Sequence, residues 1–151
     1  MIVQIARHAG LKTTATCSAD KIELVRSLGA FSAIDYKKFA MTDLSRDFDI
    51  VIECAGSDTI REAFHVLKGN GTMICLTRPP TDEEKAQRPD VHGTFFIVEP
   101  DGEELAHIAH LCEQSLIKPI VQSIFPLDKG AEAFELLNGG HSRGKIVLKV
   151  Q

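Results

Sequence analysis

The 151-residue sequence predicts an α/β fold built on a doubly wound parallel sheet. Apolar, β-branched runs alternate along the chain with amphipathic segments of helical spacing, which is the pattern of successive βαβ units. The strongest run, "FDIVIECAG" at Phe48 to Gly56, is almost continuously apolar, as a strand covered on both faces must be.

Each element follows from its own residues. In "MIVQIARHAG", Ile2, Val3, Ile5, Ala6 and Ala9 recur at helical spacing, Arg7 and His8 take the polar face, and Gly10 ends the helix. Lys12 to Ser18 is rich in β-branched residues and predicts a strand. Asp20 to Leu28 predicts a second helix, with Ile22, Leu24, Val25 and Leu28 inward and Gly29 as its stop. A short strand follows over Phe31 to Tyr36, then a polar stretch from Lys37 to Asp47 with a partial helix. Beyond Phe48 to Gly56, Asp58 to Leu67 predicts a helix closed by "KGNG", and "TMICLTRPP" a strand ended by two prolines. Thr81 to Gly93 reads as a polar loop. The remainder alternates again: strand "TFFIVEP", helix Gly102 to Leu116, strand "IVQSIFP", helix Asp128 to Leu137 and strand "GKIVLKV". Internal repeats and low-complexity tracts are absent from the sequence.

Composition narrows the function classes. At 44% hydrophobic and 25% charged, the chain suits one globular domain with a substantial core. A net charge of −4 argues against a nucleic-acid or anionic-membrane partner, since both need a clustered basic excess. Cys17, Cys54, Cys75 and Cys112 are widely spaced, without a C-x-x-C pair, as expected of thiols in a reducing compartment. With no apolar run near the roughly 20 residues of a membrane span, the expected location is cytoplasmic.

In a doubly wound sheet, ligands sit beyond the carboxyl ends of the strands. The first such place is "CSADK". A dinucleotide fold selective for NAD holds a ribose-binding carboxylate there, whereas this sequence has Ser18 followed by Lys21. A hydroxyl and an ammonium suit a 2′-phosphate, so a dinucleotide site here favours NADPH. A helix N-terminus capped by Ser18, with Asp20 in its first turn, explains the same residues.

Other constellations are weaker. "HIAHLC" spaces His107 and His110 for one helical turn, but Leu105, Ile108 and Leu111 form an amphipathic stripe and Cys112 falls about 200° from His110, so surface histidines are expected and no metal site. The sequence has no G-x-S-x-G nucleophile motif. Glu83 with Glu84, and Glu103 with Glu104, read as solvated faces.

Taken together, "VQIARHAG", "TCSADK", "LVRSLGA", "AIDY", "FDIVIECAG", "FHVLKGNG", "FFIVEPDG", "VQSIFPL" and "GGHSRGKIVLKV" resemble the medium-chain dehydrogenase/reductase superfamily, nearest to its NADPH-dependent quinone oxidoreductase or zinc-binding dehydrogenase branch. The resemblance implies a Rossmann-like nucleotide-binding domain over residues 1–118 and a C-terminal segment, 119–151, that packs on a separate catalytic domain. It implies that Ser18, Lys21 and Tyr36 grip the adenosine 2′-phosphate, and that Cys54, Ala55 and Gly56 lie along the cofactor ribose, with Cys54 as packing. Leu76, Thr77, Phe96 and Val98 would face the nicotinamide through backbone groups; Arg143 and Lys145 would add positive charge near the phosphates, and a solvated strand end explains those two residues as well. It implies no catalytic side chain and no metal ligand in this chain.

The branch's Gly-rich fingerprint would precede "IVQIARHAG", so the expected fold is incomplete at its N-terminus, lacking the first strand and that loop. Two function classes follow. One is the C-terminal fragment of an NADPH-dependent oxidoreductase that reduces a quinone or enone by hydride transfer, inactive alone and weak in cofactor binding. The other is a non-catalytic nucleotide-binding or self-associating module, such as a homodimer that fills the gap by strand pairing.

Overall fold

A computed structural model describes residues 1–56, 59–140 and 142–150. In chain order its elements are α1 (Ile2–His8), β1 (Thr14–Cys17), α2 (Ile22–Ser27), β2 (Ser32–Asp35), β3 (Phe48–Glu53), α3 (Thr59–Val66), β4 (Leu67–Cys75), α4 (Asp82–Ala86), β5 (His92–Phe95), α5 (Gly102–Glu113), β6 (Val121–Pro126), α6 (Gly130–Asn138) and β7 (Lys145–Lys149). Short 3-10 turns precede α2, β3 and α6 at Ala19–Lys21, Met41–Asp43 and Leu127–Lys129. Asp58, placed by its sequence in the third helix, lies outside the described residues.

Every strand pairing is parallel. Among the described residues the strands form three hydrogen-bonded sheets, β1 with β2, β3 with β4 and β5, and β6 with β7. The chain divides into two compact units: Met1–Asp35 with Asp101–Gln151, and Tyr36–Pro100.

The second unit has the clearer core. Ile60, Ala63, Phe64 and Leu67 follow the i, i+3, i+4, i+7 spacing, so α3 and the residue after it present one apolar face to Met73 and Cys75, which alternate on β4. All six are at most 1% exposed, and burying Phe64 alone contributes about 2–3 kcal/mol. The C-terminal end of α3 is tied down. Arg88 donates to the carbonyls of Phe64 and Leu67 at 3.1 Å while gripping both oxygens of Asp90 at 2.8 Å. The Gly93 backbone on β5 passes so close to this core that an added Cβ would lie 2.8 Å from Phe64 Cζ and 3.2 Å from Pro80 Cγ. Gly93→Ala is therefore expected to destabilise the protein by about 1–2 kcal/mol through overpacking, read as a lower urea midpoint.

Several sequence expectations are corrected. β3 is not covered on both faces: Ile50 and Ile52, alternate residues on one face of the strand, are 51% and 40% exposed. "KGNG" does not simply end the helix. Leu67 pairs with Phe48, the ladder shifts register before Ile50 and Thr72, and left-handed Asn70 (φ 61°) carries the excursion while its N–H bonds Asp90 O at 2.8 Å. The polar stretch 81–93 contains α4, and the strand expected to reach Pro100 stops at Phe95.

In the first unit, Cys17, Ala30, Ala33, Ile117 and Ala133 are buried. On α1 the buried residue is Gln4, whose amide donates to Lys118 O at 3.0 Å and accepts from Lys118 N at 2.8 Å. Ile2 and Ile5, expected inward, are 37% and 43% exposed. α5 ends at Glu113, three residues short of the expected Leu116, near left-handed Ser115 (φ 59°).

Candidate functional site

In the Tyr36–Pro100 unit, the register aligns Glu53 with Cys75 and Cys75 with Phe95. Parallel strands ending in register deliver their following residues to one sheet edge. That edge therefore gathers Cys54–Gly56, Leu76–Thr77 and the segment from Phe96 to Val98. Leu76 is 39%, Phe96 51% and Val98 73% exposed, so this rim is open to solvent.

Glu53, the last residue of β3, organises the rim and was not singled out from the sequence. It is 5% exposed. Its Oε1 accepts from Ala55 N at 2.7 Å and Gly56 N at 2.8 Å, and the Thr59 hydroxyl lies 2.7 Å away. That hydroxyl is equally close to Gly56 O and has one proton to donate. The other carboxylate oxygen accepts from Thr77 Oγ1 at 3.3 Å, and Glu53 O accepts from Leu76 N at 2.9 Å. One carboxylate thus ties the turn after β3 to the turn after β4. Burial pushes its pKa up, but the bonds from Thr59, Gly56, Ala55 and Thr77 outweigh burial and hold it below the ordinary range. The available signal was a lone acid closing an apolar strand.

Gly56 turns with φ 79°, and a Cβ there would sit 3.1 Å from Thr77 Oγ1, so the close approach requires glycine. Cys54 is exposed, with its thiol 3.8 Å from Ile52 O. Desolvation, then the Glu53 charge, raise its pKa above the ordinary value, which disfavours a nucleophilic thiolate. This edge consequently offers backbone groups and small side chains to a ligand.

Beside the rim, Arg78 makes a two-pronged bond to Glu84, with Nη2 to Oε1 at 2.7 Å and Nη1 to Oε2 at 2.8 Å. Glu84 also closes a capping box on α4, accepting from Thr81 N at 2.8 Å while its own N–H bonds Thr81 Oγ1 at 3.2 Å. Expected on a solvated face, Glu84 is 8% exposed. T-x-x-E was the local signal for this box.

In the other unit, Ser18, Lys21 and Arg143 converge across more than 120 residues of sequence. Lys21 Nζ donates to Ser142 O at 3.1 Å, and Arg143 Nη2 contacts Asp20 Oδ2 at 3.2 Å. Ser18 does not cap the following turn; its hydroxyl donates to Asp20 Oδ1 at 2.6 Å. Arg143 N is in turn anchored on Gln122 Oε1 at 2.5 Å. The result is a surface cluster of one hydroxyl and two cations, with Asp20 in its midst. Tyr36 follows β2 directly and is 57% exposed. His107 and His110 lie on the exposed surface of α5, where His110 Nε2 pairs with Gln114 at 2.8 Å. Among the described residues, no three His, Cys, Asp or Glu side chains group as metal ligands, and no helix is long and apolar enough to cross a membrane.

The family model described as zinc-binding dehydrogenase matches residues 28–148. Among curated relatives, the chain is 34% identical to a probable mitochondrial zinc-binding oxidoreductase of Arthroderma benhamiae, over 99% of this chain and 47% of that protein. It is also 34% identical to the chloroplastic NADPH-dependent alkenal/one oxidoreductase of Arabidopsis thaliana, over 98% of this chain and 36% of that one. A solved quinone oxidoreductase from Coxiella burnetii superposes with a TM-score of 0.89 at 26% identity, covering 99% of this chain and 48% of its own. The chain spans less than half the length of each of these proteins.

Proposed function

The chain belongs to the zinc-binding dehydrogenase family, and on that premise we propose that it is the nucleotide-binding portion of an NADPH-dependent oxidoreductase acting on quinones or enones. The convergence of Ser18, Lys21 and Arg143 carries this reading, because a hydroxyl and two cations fit the 2′-phosphate that distinguishes NADPH from NADH. When bound, the nicotinamide supplies the hydride that reduces the substrate.

The chain's own residues bind and orient. Lys21 and Arg143 neutralise the 2′-phosphate. Cys54, Ala55 and Gly56 keep side chains short where the ribose approaches, and Glu53 holds that turn against Thr77. Leu76, Thr77, Phe96 and Val98 present backbone groups to the nicotinamide. The division at 118/119 belongs to this reading, with 119–151 packing on a catalytic domain. So does a cytoplasmic, reducing setting, supported by four free cysteines. A homodimer is also part of it, supported by the exposed apolar run Phe96, Ile97 and Val98.

Titration of the purified chain with NADPH and NADH by calorimetry tests the reading. Weak, saturable binding that favours NADPH is expected, without NADPH oxidation when a quinone or enone is added. Lys21→Ala and Arg143→Ala are each expected to weaken NADPH about tenfold at low salt, less at high salt, while leaving NADH unchanged. Equal affinity for the two cofactors would refute the 2′-phosphate assignment, and measurable turnover would refute inactivity of the isolated chain.

A further inference from the structure

Building on the 2′-phosphate reading above, we infer that Asp20 is an internal competitor for the phosphate and sets how strongly the site prefers a phosphorylated ribose. Two of the groups that would bind the phosphate are engaged by its carboxylate. Ser18 donates to Oδ1 at 2.6 Å, and Arg143 Nη2 reaches Oδ2 at 3.2 Å. Lys21 points its ammonium to a neutral carbonyl, Ser142 O at 3.1 Å, and so keeps its charge uncompensated by that bond.

A hydroxyl has one proton, so the Ser18 bond to Asp20 must break before Ser18 can donate to phosphate. Arg143 has further N–H groups, but it meets the incoming anion already paired. The bond from Ser18 first, and that from Arg143 with its charge, hold the Asp20 pKa below the ordinary value, so the carboxylate is ionised wherever the phosphate is dianionic. A phosphate entering this cluster is therefore repelled by one fixed negative charge. The exposed setting limits that repulsion.

Asp20→Asn keeps the size and an oxygen acceptor for Ser18 while removing the charge. Calorimetric titration of the full chain and of D20N with adenosine 2′,5′-bisphosphate and with adenosine 5′-monophosphate, at low and high salt, isolates the effect. D20N is expected to bind the bisphosphate about three- to tenfold more tightly, with the monophosphate unchanged and the gain shrinking at high salt. Unchanged or weaker bisphosphate binding by D20N, in a wild-type chain that prefers the bisphosphate, would show Asp20 to be an organiser of Ser18 and Arg143 and overturn the inference alone. An equal gain for both nucleotides would also overturn it. If neither protein prefers the bisphosphate, the 2′-phosphate reading falls and the competitor role with it.

Discussion

Replacing Glu53 by alanine is expected to destabilise the Tyr36–Pro100 unit by about 2–4 kcal/mol. The carboxylate accepts from two backbone N–H groups, Ala55 and Gly56, and bonds the hydroxyl of Thr77. Truncation leaves the buried Gly56 N–H without its acceptor, at about 1–3 kcal/mol, and the Ala55 N–H, which water can reach, at less. It also frees the N-terminal end of α3, whose apolar face forms the unit's core. Glu53→Gln keeps an oxygen for one set of donors and should lose about half as much. Urea unfolding measures both variants. The bonds that lower the Glu53 pKa give an acid signature: their stabilisation is full above the ordinary carboxylate range and is lost as pH falls through the depressed folded-state value. An alanine variant as stable as the wild type would show that the two turns hold themselves.

The second large effect is expected at Glu84. The Arg78 guanidinium bonded to both its oxygens lowers its pKa from 4.5 to about 2. Burial opposes that shift, and the Thr81 N–H adds to it. Between those two values the unfolded chain binds more protons than the folded one, so stability from this group is complete above pH 4.5 and gone near pH 2. Linkage over such a shift amounts to about 3 kcal/mol, reduced to about 2 kcal/mol because Arg78 is partly exposed to solvent. Glu84→Gln should therefore lower stability by about 2 kcal/mol at pH 7 and by almost nothing near pH 2. Unfolding midpoints of the two proteins that stay parallel across that range would contradict the assignment.

The helices and strands were legible where a period was. The face of α3 is written as Ile60, Ala63, Phe64 and Leu67, and a 3.6-residue repeat survives any change of partner. β-branched Thr14–Cys17 and the β6 and β7 segments were legible for the same reason. Glycine marked two ends correctly, at Gly10 and Gly29, where φ is 73° and 108°. The run Phe48–Glu53 misled, because a continuous apolar string says what a strand can tolerate on each face and not whether a neighbour covers it. Ile50 and Ile52, on one face of β3, stay half exposed.

Charged side chains were legible by type and illegible by partner. Ser18 and Lys21 raised the expectation of a phosphate site through their chemistry alone. That Ser18 bonds Asp20 rather than capping a helix, and that Arg143 arrives from 123 positions away, depends on β7 returning the chain to that place. Glu84 stood in a readable capping signature, yet its burial rests on Arg78, from the far side of the two prolines, bonding both its oxygens. Sequence by itself determined the α/β order and the parallel pairing, since these rest on hydrophobic period and turn residues that act locally, while the family was legible as a resemblance carried by the order of its motifs. Only the tertiary structure decided which carboxylates are buried and bonded, because a hydrogen bond depends on distances of a few tenths of an ångström that no local pattern encodes.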